Sequence, residues 1–114
     1  MTFQVNRLLL LSGNEMAVVL KGHIHVSKED LALVKAHLGE HIRLTLDESG
    51  CLEFRVTQDQ GDPSRFTVFE RFRDKESFNL HQRRVENSEW GHVTKNVTRT
   101  YVVFDDEDRI MVVT

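Results

Sequence analysis

The order in which the hydrophobic period changes along this chain leaves few folds open. "AVVLKGHIHV" (17–26) alternates: Val18, Leu20, Gly22, Ile24 and Val26 fall on one side, Val19, Lys21, His23 and His25 on the other. That is the pattern of a half-buried strand. The period then switches. Ser27 opens a helix, with Asp30 placed to return the capping bond. Leu31, Val34, Leu38 and Ile42 follow at spacings of three and four, one apolar stripe that carries the helix to Leu44 or Leu46. Period two returns in "CLEFRVTQ" (51–58), with Leu52, Phe54 and Val56 inward. It returns again in "RFTVFERFR" (65–73), with Phe66, Val68, Glu70 and Phe72 on one face. The Gly- and Pro-bearing "DQGDPS" between them predicts a hairpin. Asp74 is placed to cap a second helix, with Phe78 and His81 or Val85 inside. "SEWGHV" (88–93) reads as a short extra turn and "VTRTYVVFDD" (97–106) as a last strand.

Strand, helix, strand, strand, helix, strand is the split βαβ order of an α+β, ferredoxin-like domain. It predicts a four-stranded antiparallel sheet with both helices on one face, spanning 17–106. Residues 1–16 and 107–114 are left as extensions. "FQVNRLLLL" and "RIMVVT" both read as strand-like, able to pair with each other or with a partner chain. The sheet is apolar on both sides, since Phe66 and Phe69 have opposite parity. Such a sheet wants a second layer. In a single domain of 114 residues a second copy supplies it most simply, so a homodimer packed sheet to sheet is expected.

A net charge of −3 gives nothing to draw nucleic acid or an anionic membrane. The longest apolar run, Leu8 to Leu11, is too short to span a bilayer or to form a signal-peptide core. Cys51 stands alone, so no intrachain disulfide forms. These features point to a cytoplasmic protein without nucleic-acid or membrane partners. Glycine-rich phosphate loops, dinucleotide fingerprints, Cys pairs and nucleophile elbows are all missing from the sequence.

"FERFRDKESFNLHQ" (69–82) gathers the side chains most capable of chemistry. Glu70 shares its strand face with three apolar residues, and burial there raises a carboxyl pKa unless a cation meets it. It is a general base or substrate anchor, or else half of a buried ion pair. His81 shares a helix face with Phe78 and Val85. It is a proton shuttle, or a rim histidine satisfied by a backbone carbonyl. His23 with His25, and His37 with His41, have chelating spacings but lack a third ligand. Cys51 reads as a small packing residue. Trp90 is a lid over the core or the wall of a pocket. Phe72, Phe78 and Trp90 together would line an aromatic cavity between helices and sheet, with His92 close by.

"SGCLEFRV" (49–56) and "RFTVFERFRDKESFNLH" (65–81) resemble the antibiotic biosynthesis monooxygenase (ABM) family of the dimeric α+β barrel superfamily. The resemblance covers about residues 17 to 104. Glu70, Phe72 and His81 fall on the family's strand-ending Glu-x-aromatic and its helical histidine. It implies a homodimer with one pocket per chain. It also implies oxidation of a small aromatic, quinol or polycyclic phenol by dioxygen, with neither metal nor flavin. His81 would be the base, Glu70 its partner or an anchor, and Phe72, Phe78, Trp90 and His92 the walls. Phe72 stands where the family often has Trp, and Ser49 where it has Pro. Haem-degrading relatives carry an asparagine near the place of Gly22, and an iron ligand near that of His92. The alternatives are a non-catalytic dimer that binds a small ligand in the same pocket, and a haem-binding relative.

Overall fold

The computed structural model describes residues 16–107 and 109–113. The elements run β1 (Val18–His25), α1 (Lys28–Leu46), β2 (Cys51–Gln58), β3 (Arg65–Phe72), α2 (Lys75–Glu86), α3 (Glu89–Val93), β4 (Thr98–Asp105) and β5 (Ile110–Val113). They form one antiparallel sheet in the order β2-β3-β1-β4-β5. One face buries Val18, Leu20 and Ile24 of β1, Phe66 and Val68 of β3 and Val103 of β4. Val34 of α1, Phe78 of α2 and Trp90 of α3 pack against that same cluster, so all three helices share one side.

The sheet has five strands rather than four. The C-terminal segment turns back on its own chain, and β5 pairs with β4, Val103 opposite Val112. Asp105 closes that turn: its Oδ1 accepts from the backbone N–H of Glu107 and Arg109, and its Oδ2 from Arg109 Nε at 2.8 Å. A carboxylate does here what Gly or Asn does in commoner hairpins, and an acidic tract therefore hides the turn. The strand-like reading of residues 1–15 lies outside the described residues.

Two local expectations fail. Ser27 is the N-cap of α1, but its side chain makes no capping bond. Leu52 is half exposed rather than inward, because a bulge between Cys51 and Glu53 shifts the register and turns it out. Asp74 does cap α2, accepting from Ser77 N at 2.8 Å. The extra turn is α3, capped by Ser88, whose Oγ accepts from Gly91 N. A Cβ on Gly91 would lie 2.2 Å from the carbonyl oxygen of Val85. Glycine there lets α3 tuck against the end of α2 and lays Trp90 over the sheet.

Candidate active site

Between the helices and the sheet lies a cavity of 530 Å³. Its floor is the inward row of the strands: Leu20, Ile24, Phe54, Val56, Val68, Glu70 and Tyr101. Its roof comes from His41 of α1, from His81, Gln82 and Val85 of α2, and from Trp90 of α3. Parity places Glu70 there, two residues beyond Val68 on β3. Helical spacing brings His81 down from α2, one turn past Phe78.

Glu70 is only 6% exposed, and its Oε1 has no hydrogen-bond partner among the described residues. Burial, and then the charge of Glu48, push its carboxyl up to about 8. His81 is 2% exposed. Its Nδ1 lies 3.1 Å from each oxygen of Glu48, and its Nε2 lies 3.7 Å from Glu70 Oε1. Arg84 Nε donates to Glu48 Oε2 at 2.5 Å, and its Nη2 donates to Thr45 Oγ1 at 3.0 Å. Held by Arg84, the Glu48 carboxylate acts as the acceptor. The hydrogen of neutral His81 is therefore assigned to Nδ1, which leaves the Nε2 lone pair towards Glu70. Burial lowers the His81 pKa, Glu48 works against that, and Arg84 adds to it.

His41, weighed in the sequence only as a chelating partner of His37, lines the cavity instead. It is 5% exposed, stacked on Trp90 with ring centroids 4.6 Å apart and planes at 5°, and set edge-on to Phe54 at 5.3 Å. Burial, then His81 and Arg84, push its pKa down to about 3, so it is a neutral flat wall. Its Nδ1 has no hydrogen-bond partner among the described residues.

The sequence matches the family profile described as Antibiotic biosynthesis monooxygenase over residues 17–91. The chain belongs to the ABM family. Its solved structural neighbours share the fold at low identity. One is a protein from Bacteroides thetaiotaomicron, described as a possible oxidoreductase. It is 14% identical, with a TM-score of 0.65 over 80% of this chain and 98% of its own. A conserved protein from Methanosarcina mazei is 18% identical, at 0.62 over 81% and 94%. A structure named as an antibiotic biosynthesis monooxygenase is 21% identical, at 0.61 over 79% and 96%. No curated protein sequence matches significantly.

In this ABM chain Glu70, His81 and Trp90 share the cavity, but three other expected lining residues do not. Phe72 is fully buried behind His81, its ring 4.7 Å from the imidazole, and Phe78 stands edge-on behind Phe72. Both support the site without lining it. His92 is exposed on α3: the turn that faces Trp90, Val93 and Thr94 inward faces His92 out. Cys51 is inert, its thiol pushed up to about 11 by burial and by the nearby carboxylates Glu48 and Glu70. Among the described residues no group of three or more His, Cys, Asp or Glu is placed to hold a metal. His37 Nδ1 instead bonds the carbonyl of Leu33. Among the described residues no helix is long and apolar enough to cross a membrane.

Proposed function

We propose that this protein is a cofactor-independent monooxygenase of a small aromatic, quinol or polycyclic phenol substrate. One arrangement carries the reading: a basic imidazole nitrogen and a protonated carboxyl face each other inside an aromatic-walled cavity. Near neutral pH His81 offers a lone pair and Glu70 an O–H. His81 Nε2 takes the proton of a substrate hydroxyl, and Glu48 stabilises the imidazolium so formed. Glu70 donates a hydrogen bond to the substrate oxyanion, a donor aimed where negative charge develops. The electron-rich anion then reacts with dioxygen. A ring carbon that carried hydrogen becomes a carbonyl, and the second oxygen atom leaves as water with that hydrogen and the proton His81 returns. All electrons come from the substrate, so no further reductant is required. Trp90 and His41 hold the ring flat, and the apolar floor keeps water out.

We place the protein in a homodimer. The outer sheet face buries Val19 and half-buries Phe69 and Phe104, with Lys21 over both rings and Arg55 over Phe69 at 4.5 Å. A second sheet would cover that apolar and cation–π surface.

The test is oxygen uptake by purified protein, without added metal or flavin, across a panel of quinols and polycyclic phenols. Uptake is expected, and it falls in His81→Ala at matched folding. Binding of the same compounds without uptake would favour the non-catalytic dimer instead. The haem reading has the least support, because exposed His92 faces away from the cavity.

A further inference from the structure

The two ends of the cavity differ in chemistry. Leu20 on β1 pairs with Glu70, and Ile24 pairs with Arg99 of β4. The acid row and the arginine row therefore lie four residues apart along β1, roughly 13 Å. The acid end holds Glu70 and His81. The other end carries two cations, Lys95 and Arg99, against one carboxylate, Glu86. Arg99 is exposed, like Lys95, but it is anchored. Its Nη2 donates to the carbonyl oxygen of Thr94 at 3.3 Å and to Thr94 Oγ1 at 3.1 Å. Thr94 is itself buried, and its Oγ1 donates to the Trp90 carbonyl. The guanidinium is thus pinned at the lining, with its other donors unused by Thr94. Between the two ends run Tyr101, Val68 and Trp90, an apolar and aromatic stretch. Burial pushes the Tyr101 phenol up to about 12, with Arg99 opposing, so the middle stays uncharged.

We propose that the Arg99–Lys95 end binds an anionic group on the substrate, so that the substrate class is a flat polycyclic aromatic acid. This rests on the same cavity as the monooxygenase reading and adds polarity to it. The reacting oxygen goes to the Glu70–His81 end and a carboxylate to the mouth, where Arg99 meets it with fixed donors. Length and charge together orient the ring system, which an apolar slot alone does not.

Trp90 is the one tryptophan of the chain and lines the cavity, so its quenching reports occupancy. Anthracenecarboxylate and the corresponding uncharged anthracenecarboxamide are titrated against the full chain. The carboxylate is expected to bind about tenfold tighter. That preference should vanish in Arg99→Gln and reverse in Lys95→Glu. Arg99→Gln also removes the bonds to Thr94. Lys95 is exposed, so Lys95→Glu is the variant that leaves the fold in place. Equal affinity for the two probes overturns the anionic end and leaves the cavity reading standing. Binding of neither overturns both.

Discussion

Glu70 Oε1 lies 3.7 Å from Nε2 of His81, and burial moves the two groups in opposite senses. The carboxyl is held protonated to about 8, while the imidazole is made a poorer proton acceptor. Near neutral pH the pair is therefore uncharged, one acid and one base across a gap that a substrate oxygen can close. Environments that push two titratable groups apart in this way mark an acid and a base. Glu48 belongs to the same device, since it holds the far side of the His81 ring.

Glu48→Gln removes the charge that favours imidazolium and that helps keep Glu70 protonated. We expect kcat on a responsive substrate to fall roughly a hundredfold with little change in KM. Both limbs of the pH–rate profile should move to lower pH. The rising limb follows His81, whose base form is reached sooner, and the falling limb follows Glu70, which ionises sooner. Nitrogen NMR of His81 should report loss of the Nδ1–H tautomer. A reduced rate with both limbs unmoved would make Glu48 merely structural.

Glu70 also leaves a signature in stability. Its folded pKa of about 8 is above the ordinary carboxyl value of 4.5, so between those values the folded state binds more protons than the unfolded one. Stability then falls as pH rises across that window. In Glu70→Gln this fall should disappear. By pH 8 the variant should gain on the order of a few kcal/mol relative to the wild type. Urea denaturation at a series of pH values measures it, and parallel curves for the two proteins would refute a buried, protonated Glu70.

The alternating strands and the stripe on α1 were legible because period and parity are local properties. Glu70 and His81 were legible for the same reason, each standing out on an apolar face. Glu48 was not. It sits in the turn "DESG" and meets His81 across 33 residues of sequence, a contact no local pattern records. His41 was within reach. Val34, Leu38, His41 and Thr45 continue the inward stripe at spacings of four, three and four, but the polar neighbours Glu40 and Arg43 give that stretch the look of a solvated face. The strand character of β5 was legible in "RIMVVT", but its pairing with β4 was not, because the turn between them is built by Asp105 rather than by glycine.

His41 gives an acid-side counterpart to Glu70. Its folded pKa of about 3 is below the ordinary imidazole value of 6.5, so in that window the unfolded state binds the extra proton. The wild type should lose stability as pH falls from 6.5 towards 3, and His81, shifted in the same sense, adds to the loss. His41→Phe keeps a ring against Trp90 and Phe54 and cannot charge. It should remove a loss on the order of a few kcal/mol at the acid end. Thermal melts at pH 4 and pH 7 measure the difference, and an unchanged acid sensitivity would place His41 in solvent.

Gly91→Ala sets two effects against each other. Alanine in place of glycine inside a helix ordinarily gains about 1 kcal/mol. Here the added Cβ would stand 2.2 Å from the Val85 carbonyl oxygen, which is backbone at the end of α2 and cannot swing aside. The contact should win. α3 must lift, Trp90 loses its stack on His41, and the cavity loses that wall. We expect a net destabilisation of about 1–3 kcal/mol, with the Trp90 emission shifted to the red. The short α3 makes the outcome decisive, because five residues gain little from propensity and depend on their seat. A more stable variant with unchanged emission would mean that α3 does not press on α2, and that Trp90 does not owe its place to Gly91.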